Sequence, residues 1–426
     1  MKNTISAVKG FRDILPGQTG KWQHVEALAR EIFSSFGFRE IRIPILEKTA
    51  LFQRSIGETT DIVEKEMYTF QDRDNDFLTL RPEATASVLR ACIEHNLFSP
   101  GQATRLYTIG PMFRRERPQK GRYRQFHQID VELLGLDNPI TDAEVILMLI
   151  HFLKTLGLSG LKLEINSLGC PECRPGFRAA ITGYLKGKEE ALCGDCRRRL
   201  STNPLRIFDC KVEQCAHAIQ DAPFIMDHLC PDCSSHFDRV KQYLDDFQLV
   251  YRVNPRMVRG LDYYTKTAFE VISDHAGAQN AVVGGGRYDG LIRDLGGEDI
   301  PGIGFAIGFD RLISQLPEGD EIYVNPPPLY IAAQGEEARE MGFSLGNRLR
   351  LKGIQVEMSY IERSLKAQMK QADRLGCRYA LLLGDRELTA GAAEFRDMDG
   401  SAQQSLPLDG LEATLIDIIT RGIISE

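Results

Sequence analysis

No stretch of this chain is apolar for long enough to cross a bilayer. The longest run, Val145 to Leu153, is nine residues and includes His151, against the ~20 that a spanning helix needs. The opening MKNTISAVKGFRD lacks an apolar signal core, so nothing points to secretion, and a soluble cytoplasmic protein is the expectation. There is no basic excess: 52 Lys plus Arg face 59 Asp plus Glu, a formal charge of −7. Coating nucleic acid or anionic membrane indiscriminately requires many phosphate–cation contacts, so that class is disfavoured, although a local basic patch is not. Ten cysteines in 426 residues are too few for a disulfide scaffold. No internal repeat or low-complexity tract stands out. What is present, 43% apolar and 26% charged residues, is a globular composition. The length leaves room for about two or three domains.

Trp22, Val25, Leu28, Ile32 and Phe36 recur at helical spacing and predict a helix over about 20–36, stopped by Gly37. FREIRI alternates as a strand, with Pro44 after it suiting a strand edge or a subunit boundary. Residues 66–81 carry strand signals around QDRDND, and a helix is expected to open at Pro82 with Glu83 in its first turn. YTIGPMFRRE and RQFHQIDVELLG read as strands joined by the basic loop RPQKGRY. A helix over 141–157, started by Thr141 or Asp142, precedes the strand LKLEIN. After a cysteine-rich stretch, LVYRVNP, TAFEVIS, AVVGGGRYDGL and GIGFAIGFDRL restore strand character. Few helices separate these strands, so an antiparallel sheet split by a cysteine-rich insertion is expected. Asn325-Pro326-Pro327-Pro328 is the clearest linker. Beyond it PLYIAA, GIQVEMSY and YALLLGD alternate with helices, the pattern of a separate α/β domain with a largely parallel sheet. The division is 1–325, carrying an insertion at about 169–245, and 326–426.

Between Arg114 and Arg124 lie Arg114, Arg115, Arg117, Lys120, Arg122 and Arg124, opposed only by Glu116. A solvated charged hairpin would look the same. Strand alternation nevertheless sends Arg114 and Glu116 to one face, and Gln128, Asp130 and Glu132 to one face of the next strand. Guanidinium and carboxylate groups over one sheet face suit a triphosphate together with a cationic ligand group. The run Val283 to Gly290 reads either as a phosphate-cradling loop or as a tight hairpin or close strand approach. Glu83 is equally open, since a carboxylate in a first helical turn commonly only complements the dipole. Arg259 in MVRGLDYY says little by itself.

Together, TLRPEATAS, FRRERPQKGRYRQFHQIDVE, VRGLDYYT, GGGRYDGL and GIGFAIGFDRL follow in an order that resembles the class II histidyl-tRNA synthetases, over essentially the whole chain. FRRE with RQFHQ is similar to motif 2 of the class and GFAIGFDRL to motif 3, while RGLDYY and GGGRYDGL are similar to the histidine-specific signatures. The resemblance implies an α+β fold: an antiparallel catalytic domain with a Cys-rich insertion, then a C-terminal α/β anticodon-binding domain. It implies an ATP-dependent ligase that makes histidyl-adenylate and pyrophosphate, then transfers histidine to the 3′ end of tRNA(His). Arg114 would hold the α-phosphate, and Arg311 and Arg122 the outer phosphates, a task that suits a guanidinium fork. Phe126 would stack on adenine with Glu116 near its amino group. Arg259, with Arg114, is the catalytic candidate, lying against the α-phosphate and the substrate carboxylate. Mg2+ would accompany ATP on its outer phosphates.

For L-histidine, the resemblance gives Glu132 and Tyr264 the imidazole, places Glu83, Thr85 and Gln128 around the α-amino end, and has Tyr263 line the same loop. Hydrogen-bonded readout can reject analogues by ~10⁴-fold or more, so a separate editing domain is not demanded. Arg117 and Gln119 would face the tRNA acceptor end. Lys352, Lys366 and Lys370 are better taken as ordinary helix surface than as anticodon contacts. A homodimer is implied, with the 20–44 helix–strand unit at its interface; an ordinary core helix would give the same stripe.

Cys170-x2-Cys173, Cys193-x2-Cys196, Cys210-x4-Cys215 and Cys230-x2-Cys233 form four close pairs. Two such pairs suffice for one tetrahedral Zn2+ site, which would be structural. The alternative is eight free thiols packed as small hydrophobes. Which pairs would share an ion is not given by spacing. Arg197, Arg198 and Arg199 are the residues of the insertion that could grip a tRNA arm. Two other functions share the resemblance: an inactive paralogue that regulates ATP phosphoribosyltransferase, and a module that senses uncharged tRNA. The first usually lacks the C-terminal domain and the motif arginines, whereas Arg114, Arg259 and Arg311 stand here and roughly 100 residues follow the linker. The second has no effector domain attached here.

Overall fold

The structure is a computed structural model describing residues 5–57, 60, 62–98, 101–118, 121–261, 263–274, 281–317, 323, 326–400 and 402–424. Gln119 and Lys120 of the basic loop, Asp262 and Asn325 lie outside the described residues. The chain divides into two compact units, Met1–Glu318 and Gly319–Glu426.

The first unit is organised by an eight-stranded sheet. In order across it run Arg39–Glu40, Thr104–Phe113, Gln125–Leu134, Gly302–Gly308, Ala281–Arg287, Thr265–Ser273, Leu161–Ser167 and Tyr251–Val253. All neighbours are antiparallel except the two edge pairs, which are parallel. The helix Thr19–Ser35 buries Trp22, Val25, Ala29, Ile32 and Phe33, and Phe33 meets the rings of Tyr107, Phe152 and Phe305. Its apolar stripe therefore belongs to this chain's own core.

The register explains where a ligand can sit. Directly across from Gln128, Asp130 and Glu132 on the next strand are Gly308, Ala306 and Gly304. Beyond these, Gly284 pairs with Ala306 and Gly286 with Gly304. Cross-strand partners share a face, so three polar side chains border a patch of sheet almost bare of side chains. The glycine run is thus a close approach of strands, one of the two readings open from sequence, and not a phosphate-cradling loop. A Cβ at Gly284 would collide with the Arg259 guanidinium, and one at Gly304 with the Glu132 carboxylate.

Several local elements differ from the sequence expectation. FREIRI is a strand only at Arg39–Glu40, because the buried Arg81 guanidinium takes the carbonyls of Ile43 and Pro44, at 2.8 and 3.3 Å. The helix expected to open at Pro82 spans Thr85–Glu94; Glu83 lies before it and its Oε1 accepts from the Ala86 N–H at 2.9 Å. The helix expected from Thr141 or Asp142 is Pro139–Thr155, capped by Asn138. The strand expected through Glu116 ends at Phe113, since the Arg115 N–H turns away to the Glu66 carbonyl.

The insertion is built from the helices Cys173–Leu185, Gly194–Thr202, Glu213–Ala218 and Pro231–Asp246 with short 3-10 turns between them. Phe177, Ile181, Leu185, Leu192 and Ile207 make its small core together with four buried cysteines. The second unit is a five-stranded sheet in the order Val356–Met358, Leu329–Ala333, Tyr379–Leu383, Ala392–Asp397, Gln403–Pro407. Its first three strands are parallel, as the alternation predicts; the last two form an antiparallel hairpin that the sequence reading did not contain.

One buried ion-pair network ties three elements of the first unit together. Arg287, fully buried, donates to Asp142 Oδ1 and Asp289 Oδ1, both at 2.9 Å, and to the Leu136 carbonyl at 2.8 Å. The other Asp142 oxygen meets His236 Nε2 of the insertion's last helix at 2.8 Å. Removing one partner of a buried pair strands the other charge, at about 3–5 kcal/mol. Arg287→Met should therefore lower the urea-unfolding free energy by about that amount. Adding Asp142→Leu should cost much less than the two single changes summed, which a double-mutant cycle reads directly.

Candidate active site

Over the bare patch of sheet lies a cavity of about 300 Å³. Its floor includes Gly284, Gly304, Ala306 and Gly308, and its two ends differ in charge. At one end stand Arg114, Arg122, Arg259 and Arg311. Arg114 donates from Nε to the Pro82 carbonyl at 2.8 Å, and its guanidinium carbon lies 5.2 Å from the centre of the Phe126 ring. Arg122 pairs with Glu116. Arg311 donates to the Ala281 carbonyl at 2.8 Å. Burial, then repulsion from Arg122 and Arg114, holds the Arg311 pKa below the usual value. Guanidiniums crowded enough to repel one another make an anion site.

Arg259 occupies the space opened by Gly284, pairs with Glu270 at 3.2 Å and lies 5.5 Å from the Tyr264 ring centre. Burial opposes its charge, but Tyr264 and Glu270 outweigh burial and raise its pKa. It thus remains a cation in a site that disfavours cations.

The opposite end carries buried carboxyl groups. Glu83, Asp130 and Glu132 are buried, and burial raises the pKa of all three, that of Glu132 to about 8. Mutual repulsion adds to this for Asp130, from Glu132 and Glu83. Glu132 accepts from Thr85 Oγ1 at 2.6 Å and from the Tyr288 hydroxyl, and it stands behind the cavity lining. Tyr263 and Tyr264 line the wall with ring centres 4.7 Å apart. Gln128 Oε1 and Asp130 Oδ2 are buried with no hydrogen-bond partner among the described residues. Such orphaned acceptors are costly unless a ligand completes them. They call for a donor carrying positive charge, such as an ammonium group.

The structure thus brings Glu83, Thr85, Arg114, Glu116, Arg122, Phe126, Gln128, Arg259, Tyr263, Tyr264 and Arg311 around one cavity, with Glu132 bonded just behind it. Arg117 is exposed, and Gln119 lies outside the described residues. Several lining groups were not among the sequence candidates. Asp130 shares the alternation of Gln128 and Glu132, which was the available signal. Tyr288 sits inside GGGRYDGL. Asp310 sits inside GFAIGFDRL beside Arg311, and it anchors the His127 N–H at 2.7 Å and Arg12 at 2.8 Å; Glu270 carried no signal. Arg197 and Arg199 are engaged locally, on the Leu192 and Arg206 carbonyls, whereas Arg198 reaches out of the insertion to Glu64.

The eight cysteines of the insertion separate into two quartets, Cys170/Cys173/Cys230/Cys233 and Cys193/Cys196/Cys210/Cys215. Within each, the four sulfurs all lie within 4.8 Å of one another, close enough to hold a metal ion.

Comparison with known proteins gives this geometry a context. The family model described as Histidyl-tRNA synthetase matches residues 10–172 and 210–312, more than half of the chain, and the one described as Anticodon binding domain matches 329–418. The chain is 53% identical to the Histidine--tRNA ligase of Syntrophotalea carbinolica, over 98% of this chain and 100% of that one. It is 53% identical to the Histidine--tRNA ligase of Geobacter sulfurreducens, over 95% and 97%. Among solved structures, the apo histidyl-tRNA synthetase of S. aureus superposes with a TM-score of 0.82 at 37% identity, covering 96% of this chain and 99% of that one. The chain belongs to the histidyl-tRNA synthetase family.

Proposed function

We propose that this chain carries out its family's reaction in the two-ended cavity: it activates L-histidine with ATP and passes the histidyl group to tRNA(His). The observation that carries this reading is the charge division of one small cavity, guanidiniums at one end and buried, partly orphaned acceptors at the other. A zwitterionic amino acid beside a triphosphate matches both ends at once.

The histidine carboxylate is already a nucleophile, so the first step needs no general base; it needs in-line placement and neutralisation of phosphate charge. Arg114 supports the α-phosphate, Arg122 and Arg311 the outer phosphates, and Phe126 the adenine, with Glu116 at its amino group. Arg259 reaches both the α-phosphate and the carboxylate through the gap at Gly284 and acts with Arg114 on the charge that develops as pyrophosphate leaves. Mg2+ neutralises the outer phosphates when bound. Glu116 and Glu270, two carboxylates of that end, would hold it in exchange for their arginine partners. Glu83, Thr85 and Gln128 take the α-ammonium, and Glu132 and Tyr264 the imidazole.

In the second step Arg117 and Gln119 receive the acceptor end of tRNA, and the 326–426 unit takes the anticodon. The cysteines of the 169–245 insertion hold structural Zn2+, to which soft thiolate donors are suited. No helix among the described residues is long and apolar enough to cross a membrane, and the cytoplasm, where tRNA is charged, is the compartment we assign. For the family's homodimer, the small sheet Leu46–Lys48, Tyr68–Gln71, Phe77–Leu80 leaves Leu46, Phe70 and Phe77 exposed. These suit a subunit contact better than the buried stripe of the first helix.

Histidine-dependent ATP–pyrophosphate exchange tests the reading. Arg259→Ala should lower kcat about 10²–10³-fold while leaving the histidine KM within a few-fold. A folded protein that binds histidine but shows no exchange would overturn the ligase reading in favour of a regulatory paralogue.

Glu132 gives a second test. With a folded pKa of about 8 against roughly 4.3 in an unfolded chain, the folded form keeps a proton that the unfolded form releases. Stability therefore falls as pH rises through that window. Glu132→Gln should flatten the drop in ligand-free Tm between pH 5.5 and 8.5 by a few degrees, and should lower kcat/KM for histidine by at least ~10²-fold. An unchanged Tm profile would show that Glu132 is ionised in the empty site.

A further inference from the structure

We propose that the two cysteine quartets are two four-thiolate metal centres with different duties. Cys170, Cys173, Cys230 and Cys233, at the root of the insertion, hold an ion that positions the histidine pocket. Cys193, Cys196, Cys210 and Cys215, farther out, hold an ion that folds only the outer lobe. The positioning duty rests on the function proposed above; the existence of the two centres does not.

The geometry within each quartet is that of a metal knuckle. The sulfurs of Cys170 and Cys173 are 3.7 Å apart, those of Cys170 and Cys230 3.8 Å, and those of Cys193 and Cys210 3.9 Å. A tetrahedron with zinc–sulfur bonds of about 2.3 Å has edges of about 3.8 Å. Backbone N–H groups point at the sulfurs: Cys230 N to Cys173 Sγ and Cys193 N to Cys215 Sγ, both at 3.1 Å. Such donors favour a sulfur that carries negative charge. Two thiols of each quartet are buried and two are half-buried, whereas thiols that served only as small hydrophobes would be buried throughout.

The root quartet is joined to the pocket from two sides. On the entry side, the Gly169 carbonyl accepts from Lys266 N at 2.8 Å, and Gly169 turns so tightly that a Cβ there would stand 2.7 Å from Cys173 Cβ. Arg174, next to Cys173, donates to the carbonyl of Tyr264 at 2.5 Å. Leu168 packs with Met257, Tyr264 and Ala268. On the exit side, Cys230 opens the helix Pro231–Asp246, whose His236 bonds Asp142 and through it Arg287, the neighbour of Tyr288. An ion at the root therefore clamps the two chain segments that set Tyr264 in the cavity wall and Tyr288 on Glu132. The outer quartet packs around Leu192 and Ile207, in the same small core as Cys173 and Cys233. The outer part meets the rest of the unit through the half-exposed Arg198–Glu64 pair at 3.2 Å and through exposed Arg256, which donates to the Gln220 carbonyl and lies over the Phe224 ring. Exposed polar contacts of this kind are weak.

The test uses the full chain purified without chelator, with metal measured by mass spectrometry and Co2+ exchanged in to read thiolate-to-cobalt charge transfer. Two equivalents per chain are expected, and one in each of the variants Cys170→Ser/Cys230→Ser and Cys193→Ser/Cys210→Ser. Less than one equivalent, with all eight thiols of the native protein freely titratable, overturns the centres whether or not the chain is a ligase. For the division of duties, the root variant should raise the histidine KM, or the histidine Kd by calorimetry, by ~10-fold or more while the ATP KM stays within about two-fold. The outer variant should leave both within about two-fold. Arg174→Ala, which keeps every cysteine and both equivalents, should reproduce the histidine effect even if the root variant folds poorly. Equal histidine effects in root and outer variants, or none in Arg174→Ala, overturns the positioning role. Absence of any histidine-dependent exchange from the native chain overturns the proposed function and leaves the metal measurements standing.

Discussion

The first unit depends on satisfying one buried guanidinium. Arg287 carries five N–H donors and no route to water, so every donor must find an acceptor inside the protein or the charge could not be buried there. Asp142, Asp289, Asp137, the Leu136 carbonyl and Thr141 supply them. These acceptors come from the loop before one helix, from that helix's first turn and from the strand's own continuation. Their positions fix the strand Ala281–Arg287 along its length. A one-residue slip would move Gly284 from beneath Arg259 and put a side chain where the cavity floor must be bare. The polar network thus sets the register, and the register sets the shape of the site.

The site itself is poorly satisfied without its ligands. Three carboxyl groups are held out of water close enough to oppose one another's ionisation, and facing them is a group of guanidiniums that repel one another. Arg114 attracts Glu83 and Asp130, but burial outweighs this attraction and leaves both carboxyl pKa values raised. This arrangement lowers the stability of the empty protein. On the proposed reading, the charges of an ammonium group and a triphosphate would meet groups already desolvated and oriented, leaving little reorganisation for the reaction step. Arg259 keeps its charge because Tyr264 and Glu270 stand beside it and together outweigh its burial.

Much of this was legible in the sequence, for identifiable reasons. Alternation in RQFHQIDVE placed Gln128, Asp130 and Glu132 on one face because strand geometry leaves no other choice. The three apolar runs after the prolines gave the parallel half of the second unit for the same reason. What sequence could not show was contact between distant segments. Arg81 shortens a strand by bonding carbonyls some 38 positions away, and Glu83 serves the helix from outside it. The hairpin of Ala392–Asp397 and Gln403–Pro407 was missed because one face is solvated and its residues are charged or polar, which masks a strand pattern. The glycine run kept two readings until its neighbours were known. Each glycine there is defined by the side chain it makes room for, and a list of spacings does not contain that side chain. Cysteine pairing had the same character, since spacing makes knuckles recognisable but cannot say which two meet.

The insertion shows how a lobe can be added without disturbing such a site. The family match stops at residue 172 and resumes at 210, inside the lobe. The bonds that reach the pocket, by contrast, leave from Leu168, Gly169 and Arg174 on one side and from His236 on the other. The lobe's own core, a few aliphatic and aromatic residues among thiols, is small for an independent fold, and domains of this size commonly need cross-links or metal to close. On the proposed division of duties, rigidity concentrated at the two roots would leave the pocket indifferent to what the lobe does farther out. The outer segment is then free to differ in length and charge while Tyr264 and Tyr288 stay fixed.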